Sequence, residues 1–307
     1  MPRPGRRGDA ESSGTAGAEV QGRRNVAAEE VTVSWLEPFR DSVVLVTGAS
    51  SGIGRATALA FAHAGAHVAV TARRKELLDE LAAEAARDVL VLPTDVTRRD
   101  GVAGCIDAVH QRFGRIDVVV NNAGVLIPGR LDQIAASDLD AMLRVNLFGQ
   151  LFVMQEALRV MGPRGDGVII NVASLAGRRG YTPLGGYCAT KFALVGLTEA
   201  VREELAERGI HVALVLPGIV ETPMVEQVTQ DDDFLAFWPH ELNMPPSWVV
   251  WAIFAAARFR LLEVSVPPGT ATLEKLGALA PGVADKLVQW ARGTAGWLSR
   301  QLHGERP

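Results

Sequence analysis

Tyr187 and Lys191 stand four residues apart in the stretch GGYCATKFALVG, residues 185–196. On a helix such residues share one face, so a phenol and an ammonium can point into one pocket. A tyrosine near its ordinary pKa of about 10 is a poor base at neutral pH. A cation held one helical turn away favours the phenolate, which suits the pair to moving a proton. Tyrosine and lysine are also common in helices that carry no chemistry, so the surroundings decide.

A second chemical signal lies far earlier. TGASSGIG, residues 47–54, follows a short apolar run and leads into the helix-like RATALAFA. Glycines there allow a tight turn and close backbone approach, and the helix start offers unpaired N–H groups to a pyrophosphate. The spacing is Gly-x-x-x-Gly-x-Gly rather than Gly-x-Gly-x-x-Gly, but its place between strand and helix points to a nucleotide. An NAD site usually carries an acid at the end of the second strand, for the ribose 2′-hydroxyl. Here VAVTARRKE supplies Ala72, Arg73 and Arg74, with no acid before Glu76. Guanidinium groups suit a 2′-phosphate, so NADP(H) is the expected cofactor. As merely solvated residues the two cations would run against the dipole of the helix they start.

These groups need elements to position them. β-Branched runs occur at 43–47, 67–71, 89–92, 117–120, 167–172 and 211–216, with a last one at 263–267. Helix-like stretches lie between them at 53–64, 75–86, 98–113, 137–161 and 187–207. Nearly continuous apolar strands alternating with helices predict an α/β fold, a doubly wound parallel sheet of about seven strands with helices on both faces. Residues 1–38 read as a solvated tail, 39–268 as the Rossmann-type domain and 269–307 as a helical extension, two short helices broken at Pro281–Gly282.

On this frame, TGASSGIG, NNAG (121–124), Asn146 in RVNLFG, Ser174 in NVASLAG, YCATK (187–191) and PGIVETPM (217–224) follow in the order and approximate spacing of the short-chain dehydrogenase/reductase family, which residues 40–268 resemble. The resemblance implies a general acid/base at Tyr187. It implies that Lys191 lowers the tyrosine pKa and holds the nicotinamide ribose. Ser174 then orients and polarises a substrate carbonyl, and Asn146 seats a water linking Lys191 to solvent. It lays the cofactor along Gly48, Ser50, Ser51, Gly52, Ile53 and Gly54, along Asn122, Ala123 and Gly124, and along Pro217, Gly218, Val220 and Thr222. Thr222 would reach the carboxamide. Asp95 can meet the adenine amino group beside the Val96 N–H, or serve an ordinary strand-end turn.

The activity so implied is hydride transfer between NADP(H) and a carbonyl or secondary alcohol, with a serine hydroxyl donating where charge develops on oxygen. The alternative is a nucleotide-binding regulatory or scaffold protein without turnover. A net charge of −4 gives no reason for a nucleic-acid partner. The two cysteines, Cys105 and Cys188, form no ligand run or disulfide framework, so a reducing, cytoplasmic setting is expected. The six histidines give no zinc signature, and no metal is expected.

Residues 221–251 combine prolines, an acidic run and the aromatics Phe234, Phe237, Trp238, Trp248 and Trp251, either lining an apolar pocket or forming the core of a lid helix. Helices 137–161 and 187–207 carry more apolar residues than one buried face requires, and family members commonly pair through them. A homodimer is therefore expected, with a tetramer as the alternative. The extension, with Trp290 and Trp297, could cover the domain or touch a membrane surface.

Overall fold

In the computed structural model, which describes residues 37–228, 243–280, 282 and 286, the apolar runs become β1 (Val43–Thr47), β2 (His67–Thr71), β3 (Val89–Val91), β4 (Val118–Asn121), β5 (Gly167–Val172), β6 (Ile210–Pro217) and β7 (Glu263–Val266). They pair in one sheet ordered β3-β2-β1-β4-β5-β6-β7, every pair parallel. All residues of β1, β4 and β5 are buried, as strands covered on both faces must be. The strand order reverses between β1 and β4. A doubly wound sheet opens its crevice at that point, beyond the carboxyl ends of the strands.

The helices are α1 (Gly52–His63), α2 (Lys75–Glu84), α3 (Arg99–Phe113), α4 (Ala136–Leu143), α5 (Gln150–Met161), α6 (Gly185–Ala206), α7 (Pro223–Val228), α8 (Pro246–Phe259) and α9 (Thr270–Gly277). Phe61 of α1 stacks on Phe254 of α8 with centroids 4.2 Å apart, and Phe39 meets both rings edge-on. On the other face Ile106, Val109, Met154, Met161 and Leu205 pack against Val119, Ile169 and Val212 of the strands. None of the described helices is long and apolar enough to cross a membrane.

Four expectations change. The single helix read over 137–161 is divided: α4 passes into a π-helical turn, Arg144–Gly149, before α5. Such turns are uncommon and gather at functional sites. Here the turn carries Asn146, whose side chain is pulled into the protein by three hydrogen bonds. It ends at Gly149, where a Cβ would come within 2.8 Å of Val96 Cγ2. α6 begins two residues earlier than expected, so Tyr187 lies inside its first turn. Asp117 falls outside β4, its carboxylate taken by the Val43 N–H and by Arg115 and Arg164. Trp248 and Trp251 are 51% and 54% exposed and so are not core residues. Phe234, Phe237, Trp238, Trp290, Trp297, the second extension helix and residues 1–36 of the tail lie outside the described residues.

Candidate active site

The glycine turn is built by backbone geometry that side chains would obstruct. Gly48 and Gly52 have φ of +67° and +54°, a region that strains other residues. A Cβ on Gly48 would stand 2.8 Å from Ala123 Cα, and one on Gly54 would stand 2.6 Å from Asn122 Nδ2. Asn122 clamps the turn: its Nδ2 donates to the carbonyls of Thr47 and Gly48 at 3.0 and 3.4 Å. The Thr47 hydroxyl accepts from the N–H groups of Asn122 and Ala123, both at 3.0 Å. The ends of β1 and β4 are thus fastened together. Thr47 was not singled out from sequence, although a hydroxyl closing a strand just before a glycine turn was the available signal.

Ser51 caps α1 in extended conformation, and its side chain satisfies no N–H of the first turn. Those N–H groups, with Ile53 in the first turn, remain for an anion. Arg74 reaches back to this spot, its Nη2 donating to Ser50 Oγ at 2.9 Å and Ser51 Oγ at 3.2 Å. Arg73 is exposed. Asp95 Oδ1 accepts from Thr97 N at 3.0 Å and Thr97 Oγ1 at 2.8 Å, so the strand-end turn is formed. Val96 is buried against Gly149. Thr222 overlies the turn: a Cβ on Gly52 would meet Thr222 Cγ2 at 2.8 Å. Pro217 ends β6, Gly218 N donates to Val266 O, and Val220 bridges Met244. These residues fit a dinucleotide, because the cradle is closed to side chains and lined by free N–H groups, hydroxyls and a guanidinium.

At the far end of the crevice, β5 delivers Ser174 and α6 delivers Tyr187 and Lys191. Ser174 Oγ accepts from Ala176 N at 3.1 Å, donates to Pro217 O at 3.3 Å and lies in hydrogen-bond reach of the Tyr187 hydroxyl. Burial pushes the Tyr187 phenol above its usual range, and the Ser174 hydrogen bond acts against that. Lys191 Nζ is buried, donates to Val172 O at 3.3 Å and stands 5.6 Å from the Tyr187 ring centroid. Burial lowers its pKa from 10.5 to about 8. Asn146 Oδ1 accepts from Val125 N at 2.8 Å, and its Nδ2 donates to Val125 O and Thr190 Oγ1 at 2.9 and 3.0 Å. Gly124 lies against both groups: a Cβ there would be 3.3 Å from Asn146 Oδ1 and 3.6 Å from Lys191 Nζ. Cys188 packs as a small buried residue in the cluster of Met142, Ala176, Leu184 and Tyr187. A buried amide network centred on Asn121 ties the floor, and its members Gln150, Asn171 and Thr198 were not singled out from sequence. Asn121 Nδ2 donates to Gln150 O and Asn171 Oδ1, and Asn171 donates to Thr198.

The depressed lysine pKa has a measurable consequence. Between pH 8 and 10.5 the unfolded chain holds more protons at Lys191 than the folded one, so this group makes stability rise with pH through that window. Below pH 8 the cost of the buried charge is full. Lys191→Met, similar in shape and uncharged, should therefore be more stable than wild type at pH 7 by about 3 kcal/mol, the gap shrinking as pH approaches 10.5. Urea unfolding at pH 7 and pH 9.5 checks this, and a gap independent of pH would contradict the cause given.

A family model described as short chain dehydrogenase matches residues 42–233. An uncharacterized oxidoreductase of Bacillus subtilis is 33% identical over 278 residues, spanning 89% of this chain and 76% of that protein. A 3-oxoacyl-(acyl-carrier-protein) reductase of Thermotoga maritima is 42% identical over 193 residues, 61% of this chain and 78% of its own length. A short chain dehydrogenase/reductase of Burkholderia phymatum, solved in complex with NAD, has a TM-score of 0.72 and 26% identity, covering 80% of this chain and 95% of that one. With the family match beginning one residue before β1 and the Bacillus relative aligned over most of both proteins, this chain belongs to the short-chain dehydrogenase/reductase family of oxidoreductases, which use a nicotinamide cofactor.

Proposed function

We propose that the protein transfers a hydride between NADP(H) and an apolar carbonyl or secondary alcohol. The observation that carries the reading is the meeting of Tyr187 and Ser174, with Lys191 buried one helical turn behind. NADPH, when bound, supplies the hydride. Ser50, Ser51 and the start of α1 hold its phosphates, and Arg74 takes the 2′-phosphate. Ser174 turns its one hydroxyl hydrogen from Pro217 O to the substrate carbonyl oxygen, where negative charge develops. The Tyr187 hydroxyl gives that oxygen its proton. Lys191, with a pKa of about 8, is mostly charged at neutral pH and favours the phenolate left behind. Both N–H donors of Asn146 are committed to Val125 and Thr190, so a water seated there is held by an Asn146 oxygen.

The substrate side is apolar: Val125, Leu126, Ile127, Ile134 and Tyr181 pack against the buried cluster that includes Tyr187. This supports a hydrophobic ketone rather than a charged one. Phe148 and Phe192, 46% and 45% exposed on the π turn and α6, support pairing of two copies through these elements. The test is NADPH oxidation across a panel of apolar and charged ketones and aldehydes. Reduction of apolar ketones is the expected result. No turnover of any carbonyl, with NADPH still bound, would instead favour a regulatory nucleotide-binding protein.

A further inference from the structure

The loop between Ser174 and Tyr187 is tied to α9 by an unusual arrangement. α9 is amphipathic, but it is turned the opposite way from a helix docked by its apolar face. Leu273 and Leu276 are 69% and 58% exposed, while the Glu274 side chain points inward at 20% exposure. Ala271 alone on this helix is buried. Apolar burial therefore does little to fix α9, and polar contacts with the loop do most of it. Both Glu274 oxygens are engaged by loop residues: Tyr181 donates its hydroxyl to Oε1 at 3.0 Å, and Arg179 Nη1 lies 3.7 Å from Oε2. A second link runs alongside. Arg178 pairs with Glu199 of α6 and Glu263 of β7, and Lys275 of α9 joins Glu263 at 2.9 Å.

The loop so held borders a cavity of about 510 Å³, where Tyr181 and Pro183 face Ile134 and the charged side chains of Arg130 and Asp132 stand on the same wall. The loop is joined across it by Gly129 N donating to Pro183 O at 3.0 Å. Tyr181 packs into the same apolar cluster as Tyr187. The residue that seats Tyr181 thereby shapes a cavity whose wall ends at Gly186, the residue before Tyr187.

We propose that α9 is a strap on the substrate loop and that Glu274 is its positioning residue, holding Tyr181 so that the cavity fits a carbonyl compound. The proposal rests on reading this cavity as the substrate side of the active site. Glu274 touches no cofactor-side residue described above, so its loss should act on carbonyl binding and leave cofactor binding alone.

The test uses the full chain and three variants: Glu274→Ala, Glu274→Gln and Tyr181→Phe. With the ketone that the panel ranks first, Glu274→Ala should raise KM about tenfold, the size expected for losing a hydrogen bond to a charged acceptor. kcat and the NADPH Kd should stay within about twofold. Glu274→Gln keeps an acceptor for Tyr181 and should restore most of the KM. Tyr181→Phe should raise KM as Glu274→Ala does, and the double variant should show far less than the product of the two effects. Limited trypsin digestion supplies a readout that needs no turnover. Arg178 and Arg179 lie in the strapped loop, and cleavage after them should be faster in Glu274→Ala than in wild type. If KM and cleavage rate are both unchanged in Glu274→Ala, or if the NADPH Kd rises as much as KM, the strap is overturned. Should wild type reduce no ketone, the activity reading fails, and the cleavage rate alone decides for or against the strap.

Discussion

Tyr187→Phe should lose turnover by roughly 10³-fold or more while binding NADPH about as tightly as wild type. General acid–base groups contribute about 10²–10⁴-fold, and here the phenol is the proton donor the geometry offers to a carbonyl held by Ser174. The substitution removes one oxygen and keeps the ring. That ring sits in the cluster of Met142, Ala176, Leu184 and Cys188, so packing is preserved. No buried partner is stranded, because Ser174 Oγ retains the carbonyl of Pro217 and the N–H of Ala176. A fall in rate could therefore not be assigned to misfolding. Cofactor binding should be spared because the proposed mode gives the nicotinamide ribose to Lys191 and the phosphates to Ser50, Ser51 and the α1 start, not to the Tyr187 hydroxyl. Lys191→Ala, by contrast, should weaken both turnover and binding. Steady-state rates with the best panel ketone, beside fluorescence titration with NADPH, make the comparison. A Tyr187→Phe protein that turns over like wild type would end the proposed mechanism.

The parts of this site that were legible in sequence are those set by local chemistry. Continuous β-branched runs gave β1, β2 and β5 their ends, since strands buried on both faces tolerate little else. Gly48, Gly52 and Gly54 were legible because only glycine permits the backbone approach there. What escaped depends on partners distant in the chain. The π turn at 144–149 leaves the apolar pattern of a helix almost unchanged, and it exists because Asn146 reaches Val125 and Thr190. The clamp at Thr47 needed knowledge that β4 lies next to β1. α9 was legible as a helix but not in its orientation, because leucine spacing normally signals the buried face. The inward Glu274 follows from Tyr181 and Arg179, which are far from it in sequence. Of the two arginines singled out together, only the folded geometry shows that Arg74, not Arg73, reaches the serines of the turn.

That distinction sets the second large effect. Arg74→Ala should weaken NADPH binding by about 10- to 100-fold, the range for one or two charge-assisted hydrogen bonds to phosphate, and leave NADH binding almost unchanged. Arg74 already holds its guanidinium over Ser50 and Ser51, so little side-chain freedom remains to be lost when a 2′-phosphate arrives between these three groups. NADH carries only a hydroxyl at that position and cannot use the guanidinium bidentately. Arg73→Ala serves as the control of equal charge change. Both arginines are exposed, but Arg74 is the one hydrogen-bonded to the serines of the turn, so the Arg73 control should lose only the modest, salt-screened share of long-range attraction. The solved Burkholderia relative holds NAD, so the opposite preference is a concrete alternative. Titrating both cofactors against wild type and the two variants, at low and at physiological salt, separates the cases. Tighter binding of NADH by wild type, or an Arg74→Ala protein that still prefers NADPH as strongly, would show that the 2′-phosphate is not what this arginine was placed to meet.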